Sequence, residues 1–125
     1  MAKILVVDDS EIIRVQLSTD LGEVGHEIVE AYNGLNGLEV LKANRDINLI
    51  ISDVNMPEMD GLSMCEKIHH NDEFSHIPIV MLTTQSNSDL KAKSKQYGVI
   101  AWVTKPYKSK ALIGGIDRIL SKASV

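Results

Sequence analysis

Several residue types are scarce in this chain, and each scarcity excludes something. Its 125 residues include one cysteine (Cys65), three prolines, one tryptophan and one phenylalanine. A single cysteine forms no internal disulfide, which excludes a disulfide-stapled secreted scaffold and fits a reducing, cytoplasmic setting. Basic charge is short: 13 Lys and Arg against 17 Asp and Glu leave a net −4. Broad nucleic-acid binding wants a basic face, so no nucleic-acid partner is expected. No apolar run approaches the roughly 18–20 residues of a membrane span, so no membrane segment is expected. The opening Met1-Ala2-Lys3-Ile4 leads straight into a strand-like run and lacks a signal-peptide layout. There is no repeat, low-complexity stretch or interior linker. Hydrophobic residues make up 44% and leave no region bare. A chain this long buries roughly two thirds of its unfolded surface and needs no disulfide or metal staple to fold. One ordered domain over 1–125 is expected, with no room for an output domain.

What is present is a series of short apolar runs, each closed by polar residues. Ile4-Leu5-Val6-Val7 ends in Asp8-Asp9, and Asn48-Leu49-Ile50-Ile51-Ser52 ends in Asp53. Ile79-Val80-Met81-Leu82 ends in Thr83, and Ala101-Trp102-Val103-Thr104 ends in Lys105-Pro106. The first run, Lys3 to Val7, does not alternate, as expected of a strand buried on both faces. Helical stretches lie between the runs. Ser10 offers an N-cap with Glu11 in the first turn. Ile13, Leu17 and Leu21 then recur every fourth residue, Ile12 and Val24 widen the stripe, and Gly25 ends it. His26 to Ala31 reads as a weaker strand, Asn33-Gly34 as a turn and Leu35 to Ala43 as a short helix with Leu38 and Leu41 inward. Val54 to Asp60 reads as a loop ending at Gly61, and Leu62 to His70 as a helix holding Cys65 as core filling. Ser86-Asn87-Ser88-Asp89 caps a lysine-rich helix, Leu90 to Tyr97, ended by Gly98. Ser109 opens a last helix with Leu112, Ile113, Ile116 and Leu120 inward, and Gly114-Gly115 inside it costs about 0.5–1 kcal/mol per glycine.

Five strands alternating with five helices predict an α/β fold, a doubly wound five-stranded parallel sheet covered on both faces. With strand order 2-1-3-4-5, the flavodoxin-like order, the chain reverses direction between strands 1 and 3, and ligands bind outside the carboxyl ends there. Asp8, Asp9 and Asp53 would sit at that point, with Thr83 and Lys105 along the same edge. Three carboxylates within a few ångströms repel one another, and a hard dication such as Mg²⁺ relieves this. Asp9 and Asp53 are the expected direct ligands, Asp8 acts through a bound water, and the backbone carbonyl of Asn55 completes the shell. A carboxylate also serves as a nucleophile toward phosphorus, and Asp53, alone at its strand end, is the candidate. Lys105, the Thr83 hydroxyl and the metal would share the charge on the phosphoryl oxygens.

Taken singly, each of these residues has a blander reading. A strand-end acid is usually a cap or solvated, Thr83 a loop cap, Lys105 a surface charge and Trp102 core. His26, His69, His70 and His76 lack metal-ligand spacing and are assigned to the surface. Lys91, Lys93 and Lys95 would ordinarily be a solvated helix face. Joint placement on successive strand ends is what favours the chemical reading.

Val7-Asp8-Asp9-Ser10, Ser52-Asp53-Val54-Asn55-Met56-Pro57, Gly61, Leu82-Thr83-Thr84 and Lys105-Pro106 together resemble the receiver domain of two-component response regulators, over essentially the whole chain. Thr83-Thr84-Gln85-Ser86 and the stretch from Gly98 to Tyr107 are similar to the chemotaxis branch of that family, the CheY type. The resemblance implies that Asp53 takes a phosphoryl group from a histidine kinase, that Asp8, Asp9 and the Asn55 carbonyl serve the metal, and that Lys105 pairs with the phosphoryl group. It also implies a cis Lys105-Pro106 bond, a Thr83 hydroxyl that moves onto the phosphoryl group, and a Trp102 ring that swings inward with it. The surface altered would be the fourth helix, fifth strand and fifth helix, where the Lys91, Lys93 and Lys95 face suits an acidic partner segment. The implied partners are a chemotaxis-type histidine kinase, the flagellar motor switch protein and a phosphatase, with the protein itself monomeric. Trp102 stands where tyrosine or phenylalanine is commoner, and Thr84 where alanine is frequent. Gln85 and Asn55 flank the site and are candidates to orient a water for dephosphorylation.

Three rivals remain. A phosphorelay intermediate or phosphate sink would use the same chemistry and pass the group to another histidine. A phosphatase enzyme with an Asp nucleophile usually carries a second acid two residues after it on the first strand, whereas here Asp8-Asp9 are adjacent and Ser10 follows. An inactive receiver-like module would not need the complete set of five site positions. The expectation is therefore a response regulator, not an enzyme beyond its own phosphorylation and dephosphorylation.

Overall fold

The computed structural model describes residues 2–84 and 87–123. Strands β1 (Lys3–Val7), β2 (Glu27–Ala31), β3 (Leu49–Ser52), β4 (Ile79–Thr83) and β5 (Val99–Thr104) alternate with helices α1 (Glu11–Glu23), α2 (Gly34–Ala43), α3 (Gly61–His69), α4 (Ser88–Lys95) and α5 (Ser109–Ala123). The strands are all parallel, in the order β2-β1-β3-β4-β5. Fold class and strand order are as the sequence predicts.

Side chains alternate across a strand, so each run of apolar residues feeds two cores. Leu5, Val7, Ile50, Ile79 and Met81 face one side, against Leu41 of α2 and Met64, Cys65 and Ile68 of α3. Ile4, Val6, Leu49, Ile51, Val80 and Leu82 face the other, against Leu17 and Leu21 of α1 and Leu112 and Ile116 of α5. Fully burying such a side chain contributes about 1.5–3 kcal/mol. The central strands, with every residue of β3 and β4 buried, therefore anchor the fold. α4 is the opposite case: Ser94 is its one fully buried residue. It is the helix least held by apolar burial. Burial also explains Cys65, whose thiol is pushed up to about 12 by desolvation first and by Asp60 second.

Helix starts follow local hydrogen-bond chemistry. Ser10, Asn33, Asp60 and Asn87 cap α1, α2, α3 and α4 by accepting from Ile13, Asn36, Ser63 and both Asp89 and Leu90 backbone N–H groups. Asn33-Gly34 is thus a helix start rather than a free turn, because the Asn33 side chain satisfies an otherwise orphaned donor of α2. The expected α4 cap falls on Asn87; Gln85 and Ser86 lie outside the described residues.

One apolar stripe, that of α1, was read too broadly. Ile12 and Val24 are 79% and 48% exposed: Ile12 is turned about 140° from Leu17 around the helix, and Val24 is the C-cap, just past the end of α1. His26 is corrected inward. Its side chain is 7% exposed, its Nδ1 accepts from the Ala2 N–H at 3.1 Å, and its Nε2 lies 3.6 Å from Asp117 Oδ1. It links the start of β1 to α5. His69, His70 and His76 are exposed, as expected.

Gly61 begins α3 in contact with the backbone of Asp53. A Cβ at residue 61 would stand 2.0 Å from the Asp53 carbonyl oxygen and 3.1 Å from Met81 Cε. Gly61→Ala is expected to destabilise the fold by about 1–3 kcal/mol, the usual cost of overpacking, and to displace the Asp53 backbone. Urea unfolding of the variant checks the first effect, and a wild-type midpoint would contradict it.

Candidate functional site

Strand register builds the site. Val7 is level with Ser52, so Asp8 and Asp53 are the next residues on neighbouring strands. Backbone bonds carry the alignment past the strand ends: Asp53 N–H to the Val7 carbonyl at 2.9 Å, and Asp8 N–H to the Ala31 carbonyl at 3.1 Å. Thr83 is level with Thr104, and the Lys105 N–H donates to the Thr83 carbonyl at 2.9 Å. Lys105 thus leaves β5 pointed along the same edge, before a cis bond to Pro106.

The Lys105 ammonium bridges two carboxylates, donating to Asp8 Oδ2 at 2.7 Å and to Asp53 Oδ2 at 3.1 Å. Their other oxygens accept from backbone N–H groups, Asp8 Oδ1 from Ser10 at 2.9 Å and Asp53 Oδ1 from Val54 at 2.7 Å. Asp8 is nearly sealed, Asp53 and Lys105 are partly reachable, and Asp9 is exposed. One oxygen from each of Asp8, Asp9 and Asp53 lies within 4.8 Å of the others. Three carboxylates face one ammonium, so negative charge remains in excess. Oxygen-only donors at that spacing with surplus negative charge fit a hard dication such as Mg²⁺.

Burial and charge compete at the two ends of the Asp8–Lys105 pair. Desolvation raises the Asp8 carboxyl above its ordinary range, against the opposing pull of Lys105 and the Ser10 N–H. At Lys105, burial by itself favours the neutral amine, but Asp8 and then Asp53 outweigh it and raise its pKa. Burial therefore wins at the acid and pairing wins at the base, so the lysine stays charged.

The other expected residues divide by position. Thr83 is buried at the end of β4, while Thr84 beside it is exposed. Asn55 is exposed in the loop two residues past Asp53. Trp102 is half-buried against the core that holds Met81, and the Lys91 ammonium stands 6.0 Å from its ring centroid. Lys91, Ser94, Lys95, Val99, Ile100, Ala101 and Trp102 line an open groove between α4 and β5. Lys93, two residues from Lys91 and so nearly opposite it on the helix, does not line the groove. The expected three-lysine face is two lysines. Gln85 lies outside the described residues.

Two contacts were missed from sequence. Arg14 Nη1 donates to the Asp8 carbonyl at 2.7 Å, and Tyr107 Oη donates to Asp20 Oδ2 at 2.8 Å. The only signal for the first is an arginine one turn into the helix that follows the acid pair. The second joins residues 87 apart in sequence, which spacing does not reveal.

The match to known families follows this geometry. Residues 4–117 fit the response regulator receiver domain model. The chain belongs to that family, the phosphoryl-accepting modules of two-component signalling. It is 35% identical over 119 residues to chemotaxis protein CheY1 of Helicobacter pylori, covering 94% of this chain and 96% of that one. It is 34% identical to Protein PilG of Pseudomonas aeruginosa, covering 91% of this chain and 84% of the relative. The chemotaxis protein CheY4 of Vibrio cholerae superposes with a TM-score of 0.89 at 35% identity, covering 95% and 98% of the two chains. No helix among the described residues is long and apolar enough to cross a membrane.

Asp8 also sets a dependence on pH. Its pKa is raised in the fold, so between the ordinary value of 3.8 and the raised one the folded chain holds a proton that the unfolded chain has lost. Its contribution to stability is fully present below that window and is lost as pH rises through it. In metal-free buffer, the urea midpoint of the wild type is expected to fall relative to Asp8→Asn as pH rises from about 4 towards neutrality. Parallel midpoints for the two proteins would show that burial does not dominate at Asp8.

Proposed function

We propose that this chain is a single-domain response regulator of the chemotaxis type, which takes a phosphoryl group on Asp53 from a histidine kinase and thereby switches its affinity for a protein partner. The observation that carries the reading is one ammonium shared by Asp8 and Asp53, beside Asp9, at the carboxyl edge of the sheet. The likeness to the CheY relative extends over 96% of that protein's length, which supports the chemotaxis type.

In this reading an Asp53 carboxylate oxygen attacks the phosphorus of a phosphohistidine. The new P–O bond forms as the P–N bond breaks, and the departing imidazole takes a proton from solvent. Lys105, already bonded to Asp53 Oδ2, meets one phosphoryl oxygen, and the Thr83 hydroxyl takes another. Such positioned donors act by neutralising charge where it develops. Asp8, Asp9, Asp53 and the Asn55 carbonyl would hold Mg²⁺, which would supply charge neutralisation at the phosphoryl oxygens. The chain acts on no separate substrate; hydrolysis of its own acyl phosphate, assisted by a phosphatase, resets it.

The added group brings roughly 1.5–2 negative charges. They are bonded fully when Thr83 has moved, which biases the β4 end, Trp102 and the loosely held α4. The α4–β5 groove, with Lys91 and Lys95 beside Ile100 and Trp102, suits an acidic segment bearing apolar side chains, such as one from the flagellar motor switch. We place this switch in the cytoplasm, as a monomer.

Incubation with Mg²⁺ and acetyl phosphate should label the wild type, and Asp53→Asn should abolish labelling. Lys105→Ala should slow it by about 10²–10³-fold, the usual loss on deleting one such stabilising donor. Label retained on Asp53→Asn would end the reading. Phosphorylation should then tighten binding to a motor-switch peptide by about 5–150-fold. Unchanged affinity together with transfer to a second histidine domain would make the chain a phosphate sink.

A further inference from the structure

Lys105 is not the only cation that touches Asp8. Arg14, on α1, has a side chain 16% exposed whose guanidinium bonds at two places. Its Nη1 donates to the main-chain carbonyl of Asp8 at 2.7 Å, and its Nε donates to Glu30 Oε1, at the end of β2, at 3.1 Å. Glu30 is held in turn, since Ser18 Oγ on α1 donates to its Oε2 at 3.1 Å. The contacts described for Arg14 go to the Asp8 backbone and to Glu30, not to Asp53. The chemistry proposed above therefore leaves this arrangement unused.

The carbonyl that Arg14 grips belongs to the peptide unit joining Asp8 to Asp9. Fixing that carbonyl fixes the plane of the peptide, and with it the direction in which Asp9 leaves the chain relative to Asp8. We propose that Arg14 is a positioning residue for the metal site, and that its brace sets a preference for a small dication over a larger one. The inference rests on reading Asp8, Asp9 and Asp53 as an Mg²⁺ site.

The reason lies in the ions. Mg²⁺ demands short, near-octahedral oxygen geometry, whereas Ca²⁺ accepts longer and more irregular arrangements, so loosening a ligand-bearing peptide penalises Mg²⁺ more. Groups that orient metal ligands without touching the metal are commonly worth about 10–100-fold in affinity. Simple charge argues the other way. A guanidinium beside a dication site repels the ion, so deleting Arg14 on electrostatic grounds alone would tighten binding of both metals. The sign of the effect therefore separates the two accounts. Glu30, paired with Arg14, already offsets much of that repulsion.

The test is titration calorimetry on the full chain with Mg²⁺ and separately with Ca²⁺, for the wild type, Arg14→Met and Arg14→Lys. Arg14→Met is expected to weaken Mg²⁺ binding by about 10-fold or more and Ca²⁺ binding by less than about 3-fold. Arg14→Lys keeps the charge but has no planar fork to serve two acceptors, so it should fall between. Urea unfolding confirms that each variant is folded before titration, and a purely structural role would lower stability while leaving the ratio of the two affinities alone. Unchanged or tighter Mg²⁺ binding in Arg14→Met, or an unchanged ratio, overturns the proposal. A wild type that bound neither ion would remove the acid cluster as a metal site, and the inference with it. A wild type and Arg14→Met with equal Mg²⁺ affinity would remove the brace alone.

Discussion

The Lys105 ammonium, seated between Asp8 and Asp53, is the interaction on which this edge of the molecule depends. Carboxylates crowded at the ends of adjacent strands repel, and partial burial makes that repulsion worse. The compensating charge cannot come from β1 or β3, whose ends already carry the acids. It comes from β5, two strands away from β3, across β4. The bond from the Lys105 N–H to the Thr83 carbonyl keeps that distant strand aligned to the end. Parallel register thus decides whether these charges meet, since a slip of one residue turns a strand's side chains to the opposite face.

Stability is distributed to match. β1, β3 and β4 carry nearly continuous buried residues and present the acids and the threonine from a stiff platform. α4 and the outer side of β5 bury far less, and there the exposed Ile100, the half-buried Trp102 and two lysines form an open groove. A charge added on the stiff side is most easily accommodated by movement on the soft side. Local opening draws on segments with few buried apolar contacts.

Much of this was legible in the chain itself. Apolar runs of four or five residues closed by Asp or Thr located β1, β3 and β4, and the run closed by Lys105 located the end of β5, and with them the positions that meet at the site. Strict alternation and crossover handedness left few topologies, and the flavodoxin-like order expected among them is the one observed. What was hidden depended on contacts rather than pattern. Ile12 and Val24 continue the apolar stripe of α1 on paper, yet Ile12 faces away from Leu17 around the helix and Val24 lies just past its end. His26 shows no metal spacing, and its burial is decided by the approach of Ala2 and Asp117, far away in sequence. Lys93 looks like one of three equivalent lysines, until a turn of 100° per residue sends it away from its neighbours' groove. Arg14 and Tyr107 were invisible as site-related residues, because no residue pattern reveals the bonds of Arg14 to Asp8 and Glu30, or the one bond of Tyr107 to Asp20.

That last bond has a mechanical meaning. Tyr107 follows Lys105 by two residues and is tied to Asp20 in the second half of α1. The same helix begins directly after the acid pair, with Ser10 as its cap. The lysine-bearing loop and the Asp8-Asp9 pair are therefore fastened at separate points along one thirteen-residue rod. Tilting that rod carries both fittings with it, so their separation is conserved even where the sheet edge flexes.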